Sequence, residues 1–436
     1  MYLVKLSKWC IIALSTLYLF TDKQVYGLKE MWKISRPYVL HKAPDVAYIL
    51  FANIFFDNDQ MVVIYRYSIE DIYNTSLFVL RGEKWSHNNV TEPLRGLTYN
   101  NRFYVATKEF YDQKEKSECY KIHSLTGNAE ISKIPDRIIN AYVTKNWDRG
   151  GDKILVVSKD PNCLYRVGIH TEYRYDPFSL LSLFVSGGHG GFVERPFMRE
   201  IKNDSIVKFY KLSVTLHDRE VMRYLNSKVV GDKIHVLWKK YREYGSSFDS
   251  DVLQYAYFDC AAKTWSETIE PFGEYKYSKK MVYDRLHASL DGDQENLYCA
   301  WYWAVEEKKR PPYEHIKERA IYFNQCRGDQ WNRPIKIYNC ASLSIGDGDC
   351  HPKVVVDHKG EVYVFWVEDY KGLFFKRRDG NSWSDSIDVV ENKRIKSFDI
   401  AVDNNNDFHI IYVLYASDWD KLPYELVYVK LTHIKQ

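Results

Sequence analysis

Long hydrophobic runs are nearly absent from the 436 residues. The apolar stretch from Trp9 to Phe20 is about a dozen residues, short of the ~20 that a helix needs to cross a bilayer, so no segment reads as a membrane span. Charge of one sign is missing too. Lys and Arg number 61 against 58 Asp and Glu, a formal net charge of +3, which provides no field on which to argue for nucleic acid or an anionic membrane. Metal and catalytic signatures are also lacking. The cysteines form no CxxC pair, and there is no HExxH and no Gly-x-Ser-x-Gly elbow. Asp291-Gly292-Asp293 and Asp347-Gly348-Asp349 stop short of a calcium loop, and the glycines around His189 precede no helix that would hold a phosphate. No metal, cofactor or catalytic residue is therefore assigned. Helical periodicity is scarce as well, with EHIKERA the one short candidate.

What the chain has in excess is aromatic side chains. Tyr 36, Phe 21 and Trp 12 make up 16% of it, and such residues favour pleated, half-buried strands. The N-terminus also has a recognisable layout. Lys5 and Lys8 precede the short apolar stretch, and Val25 and Gly27 place small residues before a cut after Gly27. Residues 1–27 read as a secretory signal peptide and 28–436 as one mature domain, of net charge +1, expected outside the cell with no membrane span. Seven cysteines then remain, an odd number for an oxidising compartment. Cys340 and Cys350 bracket a short Gly-containing segment and are the first expected bridge, with Cys299 and Cys326 the second. Asn74, Asn89 and Asn203 open glycosylation triplets.

Two signatures alternate along the chain. In the first, a turn of Asp, Asn or Gly leads into an alternating strand: FFDNDQMVVIYR, TYNNRFYVATK, WDRGGDKILVVSK, VVGDKIHVLWKK, LDGDQENLYCAW, VVDHKGEVYVFW and AVDNNNDFHIIYV. In the second, a strand enters a short polar turn followed by Trp85, Trp265, Trp331 or Trp383, with weaker copies at SLTGNAEIS and at VSGGHGGFVERPF, where Phe192 replaces Trp. Together they define a four-stranded unit repeated about every 58 residues, longer than the ~40–45 of WD repeats. The last unit lacks its fourth strand, and MWKISRPYVL at the N-terminus carries the missing Trp. The expected fold is all-β, a single β-propeller of about seven four-stranded blades, six being the alternative count, with an N-terminal strand completing the last sheet.

The segment HPKVVVDHKGEVYVFWVEDYKGLFFKRRDGNSWSDSIDVVE resembles a blade of the sialidase-like, Asp-box-type propeller superfamily, in which Asp, Gly and Trp follow the third strand. The repeats are degenerate, with Asp379 and Trp383 four apart where that box has five. The resemblance implies the fold. A sialidase of that type would also need an arginine cluster for a substrate carboxylate, and Arg36, Arg195 and Arg333, each followed by Pro, are expected instead on outer strands of different blades.

Function is expected on the side of the disc that carries the connections after each second strand, which read as long loops rich in Tyr, Trp and Arg. Tyr241, Arg242, Tyr244, Trp303, Arg310, Tyr313, Asp369, Tyr370, Tyr415 and Trp419 are the candidate binding residues. The expected role is non-catalytic binding of a protein partner or cell-surface receptor, with host interaction as one setting. A glycan-binding lectin is the second reading and a sialidase-like glycoside hydrolase the third.

Overall fold

The computed structural model describes residues 32–42, 47–57, 60–69, 72–82, 84–90, 94–99, 102–112, 117–124, 141–144, 153–155, 163–174, 191–202, 205–212, 220–244, 247–272, 287–308, 314–340, 351–368, 370–415 and 424–434. These residues form strands and turns and include no helix. Two short strands come first, β1 (Trp32–Ile34) and β2 (Tyr38–Lys42). The first sheet is β3 (Ala47–Asp57), β4 (Gln60–Ile69), β5 (Ile72–Arg81) and β6 (Lys84–Val90). The second is β7 (Leu94–Tyr99), β8 (Arg102–Asp112), β9 (Ser117–Ser124) and β10 (Ala141–Thr144). The third is β11 (Lys153–Leu155), β12 (Cys163–Arg174), β13 (Gly191–Lys202) and β14 (Ser205–Lys211). The fourth is β15 (Glu220–Val230), β16 (Lys233–Tyr244), β17 (Ser247–Asp259) and β18 (Thr264–Trp265). The fifth is β19 (His287–Gly292), β20 (Asn296–Lys308), β21 (Glu314–Arg327), β22 (Gln330–Trp331) and β23 (Ile335–Asn339). The sixth is β24 (Lys353–Val356), β25 (Val362–Glu368), β26 (Gly372–Asp379), β27 (Ser382–Trp383) and β28 (Ile387–Glu391). The seventh is β29 (Ile395–Val402), β30 (Phe408–Leu414) and β31 (Glu425–His433), with β1 and β2 both paired to β31.

All these pairings are antiparallel meanders, and the sheets stack face to face on their neighbours. The hydrophobic clusters show it directly, since each one joins two sheets: the third with the fourth, the fourth with the fifth, the fifth with the sixth, the sixth with the seventh, and the seventh with the first. A second strand is therefore apolar on both faces. On β25, Val362, Val364 and Trp366 pack toward the fifth sheet while Tyr363, Phe365 and Val367 pack toward the seventh. This is the propeller arrangement that the repeat implied.

The two sequence signatures have distinct jobs. The aspartates close the turns between first and second strands. Asp293 accepts backbone N–H bonds from Glu295 and Asn296, Asp357 from Lys359 and Glu361, and Asp403 from Asn405 and Asp407, all at 2.7–2.9 Å. The tryptophans join sheets. Trp85 meets Tyr428 at 5.3 Å, Trp331 meets Tyr255 at 5.1 Å and Trp383 meets Phe323 at 4.9 Å, each edge-on to the third strand of the adjoining sheet. Trp265 donates its indole N–H to the Tyr210 carbonyl of the third sheet.

Trp32 works in the same way. It lies edge-on to Tyr363 and Phe375 of the sixth sheet while β1 pairs with the end of β31, Trp32 opposite His433. Ser35 locks the crossing, donating its N–H to the Lys430 carbonyl and accepting the Lys430 N–H on its hydroxyl. β2 then runs along β31 with Tyr38 opposite Tyr428. The first strands carry a second set of ties between sheets. Asp399 on β29 pairs with Lys353 on β24 and accepts from the Ile54 N–H and the Asn53 amide on β3. Asp291 on β19 repeats the device with Lys228 and the Val356 N–H.

Three expectations are corrected. EHIKERA is the start of β21, its residues pairing with Lys308 to Trp303, because a strand that runs out past the core loses its apolar alternation. In the third sheet Lys153–Leu155 form the first strand, paired to β12, so the signature at Gly150-Gly151 leads into a first strand and not a second. Phe192 sits within the long third strand β13 and is not a Trp equivalent, which also places Arg195 on a third strand and not an outer one. The second sheet's SLTGNAEIS turn, residues 1–31 and Asn203 lie outside the described residues. Asn74 is on β5 opposite Tyr67, and Asn89 is on β6 opposite Ser76.

Candidate binding face at the hairpin end

In five sheets the second and third strands stay paired as β-hairpins into the segments that read as loops, while the corresponding residues 175–190 and 416–423 lie outside the described residues. Pairing persists to Ile69 with Ile72, Asp112 with Ser117, Tyr244 with Ser247, Lys308 with Glu314 and Glu368 with Gly372. Sequence reasoning took the charged ends of these strands for loops because their residues lack the apolar–polar alternation of a half-buried strand. Tyr241, Arg242 and Tyr244 accordingly stand on β16, with Arg242 opposite Asp249 and Tyr244 opposite Ser247. Trp303 is a further correction. It is on β20, partly buried against the core between the fourth and fifth sheets and 5.9 Å from the Tyr322 ring. Arg310, Tyr313, Asp369 and Trp419 lie outside the described residues.

Tyr370 and Tyr415 are brought together, with a residue the sequence reading missed between them. The Arg394 guanidinium sits 5.2 Å from the Tyr370 ring centroid and 4.2 Å from that of Tyr415. Tyr415 lies 5.8 Å from Tyr424, and Lys396 is 4.8 Å over the Tyr424 ring. The backbone fixes this row, since the Tyr415 N–H bonds the Arg394 carbonyl and the Asn392 N–H bonds the Lys371 carbonyl. Arg394 and Lys396 flank the buried Ile395 at the start of β29, and that R-I-K alternation at a first strand is the signal that could have revealed them.

Tyr370 is the exposed end of the row, at 54%. Its φ of 59° is left-handed, a conformation that costs an aromatic residue about 1 kcal/mol or more and tends to persist where a side chain has a use. Gly372 completes the turn at φ 124°, where a Cβ would fall 1.7 Å from the Val390 carbonyl oxygen. Just below, Lys371 bonds Glu368 Oε2 at 2.9 Å. The row continues inward to the seam between the seventh and first sheets. There His41 lies 5.4 Å from both Tyr65 and Tyr67 and 6.1 Å from His87, and burial and then the neighbouring His87 push the His41 pKa down.

Of the two expected cysteine pairs, one falls wholly within the described residues. Cys299 and Cys326 are thiols, a correction with a geometric cause: Cys326 stands opposite Leu297 and Cys299 opposite Asn324. The two are diagonal neighbours at ~7–8 Å, beyond the reach of an S–S bond. Cys326 instead points its Sγ at the Gly328 carbonyl, and burial raises its pKa to about 11. Cys350, the expected partner of Cys340, lies outside the described residues. Arg36, Arg195 and Arg333 belong to the seventh, third and fifth sheets, so they form no common cluster, and Arg36 and Arg333 are exposed. Among the described residues no group of three or more His, Cys, Asp or Glu side chains is placed to hold a metal.

No protein-family model matches the chain, and no curated protein matches it in sequence. Solved structures do match in shape. The polysaccharide lyase Uly1 superposes with a TM-score of 0.50 at 9% identity, covering 88% of this chain and 90% of that one. NanB sialidase from Streptococcus pneumoniae gives 0.44 at 12% identity over 91% and 71%, and Trypanosoma rangeli sialidase gives 0.42 at 11% over 88% and 55%. This chain thus spans about half the length of the trypanosomal enzyme. At such identities the likeness is one of architecture alone, and the chain has an all-β fold of propeller type.

Proposed function

We propose that this protein is a secreted, non-catalytic β-propeller that binds a protein partner through its hairpin end. The reading rests on one observation: a cation–aromatic row, Tyr370, Arg394, Tyr415, Tyr424 and Lys396, is preorganised on that face and ends in an exposed tyrosine held in a strained turn. Tyr and Arg are the residue types that dominate binding energy at protein interfaces, and rigid presentation lowers the ordering cost of association. Secretion is carried by the layout of residues 1–27, and a cell-surface receptor or host protein is the partner class that an extracellular propeller would meet.

Affinity capture with the full mature chain and with a Tyr370→Ala, Arg394→Gln double variant tests the proposal. The partner is expected with the first bait and absent with the second. Binding on a glycan array by the mature chain, lost in the same variant, would replace the protein partner with a sugar. Turnover of a fluorogenic sialoside would overturn the non-catalytic part.

A further inference from the structure

Between the fifth and sixth sheets, near the hairpin end, three buried side chains carry polar atoms with no hydrogen-bond partner among the described residues. Arg319 is 6% exposed and its Nε and Nη1 are both unpartnered, as are Trp366 Nε1 and Glu368 Oε1, in residues 0% and 1% exposed. Strand alternation puts all three in one gap. On β21, Ile321 and Phe323 face the sixth sheet, and Arg319 is two residues further along the same face. On β25, Trp366 faces the fifth sheet, and Glu368 follows two residues later. Tyr338 tilts onto Trp366 at 4.6 Å and floors the gap. Arg319 has no ion-pair partner among the described residues, and Glu368 uses only its other oxygen, on Lys371.

An unpaired guanidinium kept out of water is among the costliest groups a fold can hold, and water alone supplies acceptors without a countercharge. We propose that this gap is a binding site for a protonated phosphate group. The chemistry of the orphaned atoms selects it. Arg319 Nε–H and Nη1–H and the Trp366 indole N–H are donors and want an oxyanion. Glu368 Oε1 is an acceptor and wants a proton on the same ligand. Hydrogen phosphate offers both ionised oxygens and a P–OH. Sulfate is isosteric and fully ionised, so it would set a lone pair against the Glu368 carboxylate, and a carboxylate anion likewise has no proton to give. The site adjoins the Tyr370 turn through Glu368 but faces the fifth sheet, and it requires no protein partner.

Isothermal titration of the full mature chain with sodium phosphate, methyl phosphate and sodium sulfate decides the matter. Phosphate is expected to bind at least 100-fold more tightly than sulfate. Methyl phosphate separates the two sources of the group: binding close to that of phosphate assigns the site to a phosphomonoester on a larger molecule, and rejection assigns it to the free ion. Arg319→Gln should abolish phosphate binding, and Glu368→Gln, whose amide can donate, should bring sulfate to within about tenfold of phosphate. Trp366→Phe, which keeps the ring against Tyr338, should weaken phosphate about tenfold. Melting curves with and without phosphate give a second readout, a rise in the parent that is lost in Arg319→Gln. No heat and no rise in melting temperature with phosphate in the parent chain would overturn the proposal, as would equal binding of phosphate and sulfate. Both results come from the parent and stand even if a variant fails to fold.

Discussion

The two ends of the sheets are built on opposite principles. At the aspartate turns, polar groups are satisfied several times over, while the indole N–H groups of Trp32, Trp331 and Trp383 at the same end have no partner among the described residues. Burial alone would raise the Asp403 carboxyl, but the hydrogen bond from His409 and the backbone N–H groups of Asp407 and Asn405 outweigh it and hold the pKa at about 2. His409 passes on to the Tyr428 hydroxyl at 2.8 Å, and Lys430 bonds Asp407 at 2.8 Å. His235 and Tyr255 repeat the histidine–tyrosine pair in the fourth sheet at 2.6 Å, where burial and then Lys233 push the histidine down to about 4. At the hairpin end the charged groups differ: Arg319 and Glu368, with Tyr65, keep buried polar atoms without partners among the described residues, and Tyr370 accepts a left-handed backbone. The first end is organised to keep the sheets together, and the second keeps unspent interactions for something else.

The contrast predicts that damage at the turn end costs stability and damage at the hairpin end costs binding. The largest loss should follow Trp32→Ala, which empties a buried site between the sixth and seventh sheets: about 3–5 kcal/mol in urea unfolding. Next comes Asp403→Asn. The native carboxyl titrates near 2 against about 4 in the unfolded chain, so its contribution is complete above pH ~4 and fades as pH falls toward 2. The variant should lose roughly 2 kcal/mol at pH 7 and show a flatter stability profile between pH 4 and 2. Tyr370→Gly sharpens the other side of the comparison. Relief of the positive φ should raise unfolding stability by about 0.5 kcal/mol while partner affinity drops by about 2 kcal/mol, roughly 30-fold in Kd. A fall in both would break the contrast. The smallest effect is expected for Lys359→Ala, at an exposed turn, within ~0.5 kcal/mol on stability and without change in binding.

The same division explains what could be read from the sequence. Asp293, Asp357 and Asp403 and the tryptophans at 85, 331 and 383 were legible because each does a local job that fixes its residue type. The Trp32 strand was legible by elimination, since the last unit lacked a strand and the N-terminus held its Trp. The hairpin end was not. Segments such as Glu306 to Lys308 and Glu314 to Glu318 are still paired although their sequence no longer alternates apolar against polar. Arg319 and Glu368 were invisible for a related reason: each reads as an ordinary charge at a strand end, and only the packing of the fifth sheet on the sixth buries them. Arg394 was missed because its meaning depends on two tyrosines that reach it from different hairpins.

The pairing of β1 and β2 with β31 also governs how the molecule comes into being. Lys430 and Ser35, which bond each other twice, are 395 residues apart. During synthesis the segment around Trp32 has no strand to join until β31 has left the ribosome, so an apolar side chain and a bare strand edge wait while the 395 residues up to Lys430 are made. Closing so long a loop is entropically slow, and the final docking step should set the folding rate. A chaperone acting on this chain would have its natural client in that unpaired N-terminal strand.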